Sequence, residues 1–144
     1  MQHVYQHNMK KNSIAAALYV GLVFLFTYTA SSKLAGFATF YAQLKHYPVL
    51  QYLPRFWAMA IPLAELLVAG LLLFNTTRLY GLLCALLLLV LFTCYLAVMV
   101  STQTNLPCSC GGVISTLSWQ QHIIFNLGCI VLCIISLRFT LKAS

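Results

Sequence analysis

Four stretches of this chain are apolar for about the width of a bilayer: Ile14–Ala30, Phe56–Phe74, Leu79–Val100 and Trp119–Phe139. A helix needs roughly 20 mostly apolar residues to cross the hydrocarbon core, and inside lipid a helix satisfies its own backbone hydrogen bonds. The pattern predicts an all-α fold, a four-transmembrane-helix bundle over residues 14–139 with short polar tails at 1–13 and 140–144. Between the first two runs, Phe37, Phe40, Tyr41, Leu44 and Tyr47 recur at helical spacing before Pro48 and Pro54 break the pattern. This predicts a short amphipathic interfacial helix between helices 1 and 2, with its aromatics toward the membrane or the bundle. One reading makes it a packed loop that closes the bundle. The others make it a membrane anchor, a lid or a partner-docking surface. Pro62, inside the second run, predicts a kink. Asn75-Thr76-Thr77-Arg78 is short enough to make helices 2 and 3 antiparallel neighbours.

Composition narrows the class. The chain is 62% hydrophobic and 6% charged, against roughly 25% charged in soluble domains. At 144 residues it has no room for a second domain beside four spans. The net charge of +7 would suit a nucleic-acid binder if it formed a stripe, but the basic residues are scattered and several sit at span ends. They therefore report topology. Lys10, Lys11, Arg78, Arg138 and Lys142 fall on one side, and Lys33, Lys45 and Arg55 on the other. That bias places both termini in the cytoplasm of a bacterial inner membrane and the third connection outside. Lys10-Lys11, an apolar run and Ala30-Ser31-Ser32 imitate a signal peptide. The run exceeds the usual ~7–15 residues of such a segment, so an uncleaved first span is expected. His3 and His7 lack further ligands, and no metal site is expected.

The third connection carries the chemistry. Pro107-Cys108-Ser109-Cys110-Gly111-Gly112 sets two thiols one residue apart in a polar, turn-rich segment. A disulfide between Cys108 and Cys110 would close a small strained ring, which raises its reduction potential and makes it labile. Gly111 and Gly112 permit positive φ and close approach of a partner. An oxidising compartment suits such a pair. Soft-metal binding and a purely structural pair are the competing readings, although the segment offers no third ligand. With no Lys or Arg between Val100 and Trp119, thiolate stabilisation falls to His122, a docked partner or the start of the fourth helix. Ser118 and Gln121 are spaced to cap that start.

Inside the spans, polar residues are few. Glu65 is the only acidic residue and lies about 14 Å into the second span at ~1.5 Å per residue. Two states fit it: protonated and hydrogen-bonded, for example to Tyr28 or Ser31, or ionised and paired with Lys33, whose long stem reaches inward. It either braces the bundle or handles protons and orients a ligand. His122 is a candidate general acid or base near the thiols, or an interfacial hydrogen-bonder. Asn126, one turn deeper, needs a partner within the bundle. Cys84, Cys94, Cys129 and Cys133 read as packing residues.

Several of these residues resemble the MauE/DoxX group of small bacterial membrane proteins. The likeness rests on Ser31-Ser32-Lys33-Leu34, on Leu63-Ala64-Glu65-Leu66 with Gly70, on Cys108-Ser109-Cys110-Gly111-Gly112, and on Asn126. The family pattern looks like Cys-Gly-Cys-Phe-Gly, followed later by Arg-Asn; Ser109, Gly111 and Phe125 depart from it. The resemblance implies a four-helix inner-membrane protein linked to periplasmic redox. MauE-like proteins are associated with maturation of the disulfide-rich small subunit of methylamine dehydrogenase beside a thioredoxin-like partner. DoxX-like relatives are associated with thiosulfate and quinone chemistry, so a quinone is a candidate cofactor. The expected function is a thiol–disulfide relay through Cys108 and Cys110, with Lys33, Glu65, His122 and Asn126 shaping the polar core beneath. The alternative is a noncatalytic assembly or scaffold subunit of a membrane complex.

Overall fold

The computed structural model describes residues 2–102 and 119–143. Cys108, Cys110 and the Ser118 cap lie outside the described residues. Among the described residues, five helices follow in order: α1 (Gln2–Ala35), α2 (Phe37–Leu44), α3 (Pro54–Leu73), α4 (Arg78–Thr102) and α5 (Trp119–Ala143), with one 3-10 turn at Leu50–Tyr52. Four of them, α1, α3, α4 and α5, are long and apolar enough to cross a membrane. α1 begins well before Ile14, within the stretch read as a tail. Nothing between Gln2 and Ala35 breaks a helix, since the stretch has no proline and its one glycine is Gly21.

The long helices form a closed ring. α1 packs on α3, α3 on α4, α4 on α5, and α5 returns to α1. Outward faces carry large apolar side chains such as Val20, Phe24, Leu67, Leu91 and Ile124, all exposed. In a bundle surrounded by lipid these faces need no protein cover. Cys84 and Cys94 also lie on exposed faces, which corrects the expectation that they pack within the bundle. A helix that is apolar all round gives no sequence signal for which face turns inward. Cys129 and Cys133 are buried as expected, and the Cys133 thiol donates to the Leu82 carbonyl at 3.3 Å.

Two clusters fill the interior. One lies toward the α3–α4 turn, around Phe26, Val68, Leu72, Leu82 and Leu89. There Thr77 Oγ1 donates to the Leu71 carbonyl at 2.8 Å and Arg78 Nε to the Leu72 carbonyl at 3.4 Å, satisfying the end of α3. Gly81 lets α4 approach α3 closely, because a Cβ there would sit 2.9 Å from the Leu72 nitrogen. The second cluster lies at the opposite end, where Phe40 and Leu44 of α2 pack with Tyr47, Ala58 and Met99. The amphipathic helix thus forms, and its aromatic face turns partly into the bundle. α3 is helical straight through Pro62, which is buried.

Candidate functional site

The second cluster and the first do not meet. Between them lies a cavity of about 150 Å³, lined by α1, α2, α3, α4 and α5 together. Its position follows from chain lengths. α1 stops at Ala35, and Gly36 turns the chain into α2, with the Gly36 amide on the Ser32 carbonyl at 3.0 Å. α2 then packs on α3 and supplies Phe40, Gln43 and Leu44 to the cavity. The following turn is held by the Tyr95 hydroxyl, which donates to the Pro48 carbonyl at 2.8 Å.

Glu65 and Lys33 meet at this cavity. The Lys33 ammonium lies 2.8 Å from Glu65 Oε1 and 3.0 Å from Oε2, and also donates to the Thr29 carbonyl at 3.3 Å. Three acceptors serve its three N–H bonds. The side chains are 19% and 5% exposed respectively. Of the two states open to Glu65, the structure holds the Lys33 pair. Ionised groups this deep are tolerable only when paired and hydrogen-bonded, and here both conditions hold.

His122 and Asn126 of α5 reach the same cavity, which places all four expected core residues around one space. Asn126 is buried. Among the described residues, Lys33 and Glu65 are the only Lys, Arg, Asp or Glu side chains in the lining, and their formal charges cancel. Aromatic walls come from Phe26, Phe40, Phe92, Tyr95 and Phe125. Gln43 was absent from the sequence expectations. It is 7% exposed, lines the cavity, and its Nε2 has no hydrogen-bond partner among the described residues. The available signal was its place in α2, between Phe40 and Leu44 on the buried side. Among the described residues, no group of three or more His, Cys, Asp or Glu is placed to hold a metal.

All of this sits at one end of the bundle, where α1, α4 and α5 place their C-terminus, C-terminus and N-terminus. The connection carrying Cys108 and Cys110 leaves α4 at Thr102 and enters α5 at Trp119, at that same end. A ring of four membrane-crossing helices around a buried ion pair, with a re-entering amphipathic helix at one end, defines a small multi-pass membrane protein with a polar intramembrane site. The chain belongs to the family of methylamine utilisation protein MauE, whose model matches residues 11–139. That match carries the MauE side of the expected resemblance; the DoxX side stays an expectation. No curated protein and no solved structure matches the chain.

Proposed function

We propose that this protein is an inner-membrane thiol–disulfide relay that assists maturation of a periplasmic client through Cys108 and Cys110. One observation carries the reading: the polar intramembrane cavity is lined by Met99, near the end of α4, and by His122, in the first turn of α5, on either side of the connection that carries Cys108 and Cys110. Cys108 is the sixth residue after Thr102, so an extended chain keeps it within about 20 Å of the end of α4. His122, in the first turn of α5, belongs to the cavity lining and is available to move a proton during thiol chemistry. In the relay, a thiolate of one dithiol attacks the partner disulfide through a mixed disulfide. Two electrons and two protons pass between them, and one disulfide is lost for each one formed.

Charge distribution supports the orientation. Lys33 is neutralised by Glu65 within the bundle and no longer counts as a loop charge. Lys45 and Arg55 then face Lys10, Lys11, Arg78, Arg138 and Lys142, which strengthens the case for cytoplasmic termini. Family membership supports a maturation role, and a thioredoxin-like protein is the partner of choice.

Acid trapping of thiols in intact cells, with an impermeant maleimide and mass spectrometry, tests the relay. The loop pair is expected to react from outside after mild reduction. Cys110→Ser is expected to hold a mixed disulfide between Cys108 and its partner, seen on a non-reducing gel. Unaltered client oxidation with Cys108→Ser/Cys110→Ser would leave only a scaffold role.

A further inference from the structure

The basic side chains outnumber what this chain can neutralise. Eight Lys and Arg stand against one Asp or Glu, and that one, Glu65, is bound to Lys33. Seven cations are left with no side-chain carboxylate anywhere in the sequence. Five of them, Lys10, Lys11, Arg78, Arg138 and Lys142, belong to the end of the bundle where α3 turns into α4, because α1 starts there, α4 begins there and α5 finishes there. Their counter-charge comes from lipid, solvent ions or a partner.

One of the five is held in place. Arg78 is the first residue of α4, and its guanidinium carbon lies 4.4 Å from the centroid of the Tyr19 ring on α1, a cation–π arrangement. The Tyr19 hydroxyl is in turn 2.9 Å from Thr140 Oγ1 on α5, and Thr140 Oγ1 donates to the Ser136 carbonyl at 3.0 Å. Three helices therefore fix one cation. Of its five N–H donors, the one on Nε is spent on the Leu72 carbonyl at 3.4 Å. The four on Nη1 and Nη2 have no acceptor among the described residues. A guanidinium with that edge free takes a phosphate through two parallel hydrogen bonds. Arg138 and Lys142 differ. Both are exposed, and each is two residues from Thr140, so at ~100° per residue they point away from it. They attract anions diffusely and build no site.

Height in the membrane says which phosphate fits. Arg78 opens its span, Thr140 stands two residues from the end of its own, and Tyr19 lies five residues after Ile14, where the first span starts. This is the boundary between hydrocarbon and headgroups. The outer faces nearby carry Val20, Tyr80 and Leu83, all exposed, and suit acyl chains.

We infer that Arg78, seated on Tyr19, binds the phosphate of an anionic phospholipid whose acyl chains pack on the apolar outer surface of the bundle. The site lies at the end opposite the Cys108 and Cys110 connection, and the inference depends neither on the relay reading nor on which side of the membrane this end faces.

The test uses the delipidated full chain in a neutral detergent, titrated with equal amounts of phosphatidylglycerol and phosphatidylcholine, with retained lipid counted by native mass spectrometry. Phosphatidylglycerol is expected to bind about 10-fold or more tightly, the worth of one hydrogen bond to a charged group. Arg78→Lys keeps the charge and loses the fork; Tyr19→Leu removes the platform. Each is expected to abolish most of that preference, measured below the melting temperature of every variant. Phosphatidylglycerol should also raise the melting temperature of the wild type above its value in phosphatidylcholine, and that increment should be absent from Arg78→Lys. Arg138→Gln/Lys142→Gln and Cys108→Ser/Cys110→Ser should keep the preference. Equal retention of the two lipids, an undiminished preference in Arg78→Lys, as large a loss from Arg138→Gln/Lys142→Gln, or displacement of the lipid by inorganic phosphate would each overturn the assignment.

Discussion

Removing one member of the Lys33–Glu65 pair should be far worse than removing both. At an effective dielectric near 20, opposite unit charges ~4 Å apart attract by about 4 kcal/mol. Desolvating each ion costs several kcal/mol, so the intact pair contributes little net stability compared with an apolar replacement. Glu65→Leu removes two of the three acceptors of the Lys33 ammonium and leaves the Thr29 carbonyl at 3.3 Å, with no opposite charge from Asp or Glu among the described lining residues. The loss expected for breaking a buried pair is about 3–5 kcal/mol. Lys33 retains 19% exposure, which favours the lower end, about 3 kcal/mol. Lys33→Met leaves the carboxylate stranded and also destabilises. Lys33→Met/Glu65→Leu removes both ions and should return to within about 1 kcal/mol of wild type. The coupling energy across the cycle should therefore exceed about 2 kcal/mol. Reversible unfolding by SDS in mixed micelles, followed by circular dichroism, measures all four proteins. Additive losses, with the double variant near the sum of the singles, would refute the account of a mutually dependent pair.

Gly81→Ala tests the α3–α4 contact. Helix propensity alone favours Ala by about 1 kcal/mol, but a Cβ at Gly81 would lie 2.9 Å from the Leu72 nitrogen and 3.0 Å from the Leu71 carbonyl carbon. The clash should win, with a net loss of about 1–3 kcal/mol in the same unfolding assay. Gly128→Ala, where a Cβ meets nothing within 4 Å, should be neutral or slightly stabilising; equal effects at both sites would count against close packing at Gly81. Val49 adopts φ 69°, a conformation costly for a β-branched residue, so Val49→Gly should raise stability by about 1 kcal/mol or more. A lower melting temperature would show that the valine side chain does more than the backbone strain costs.

Much of the architecture could be read from hydropathy, because four bilayer-length apolar runs leave few other folds. The ion pair was half legible: a single carboxylate at membrane depth demands a partner, and Lys33 had the reach. Choosing Lys33 over a neutral hydrogen-bonding arrangement needed the relative heights of α1 and α3, which no local pattern encodes. The meeting of His122, Asn126, Lys33 and Glu65 at one space follows from the order of helices around the ring. Gln43 escaped notice because polar residues on an interfacial helix usually face water, and only the way α2 packs on α3 turns it inward. Cys84 and Cys94 were placed wrongly because the Leu-rich α4 carries no polar stripe to mark its outer face. The helical start of α1 was missed because polarity alone does not distinguish a tail from a helix extending past the membrane.

The Lys33–Glu65 contact also has a consequence for biosynthesis. Its two residues are 32 positions apart, so at about 5–20 residues per second the ribosome delivers the lysine roughly 2–6 s before its counter-ion. For that interval the first segment holds an uncompensated ammonium close to its trailing edge. The next hydrophobic segment brings the counter-ion, which favours insertion of the two as a hairpin.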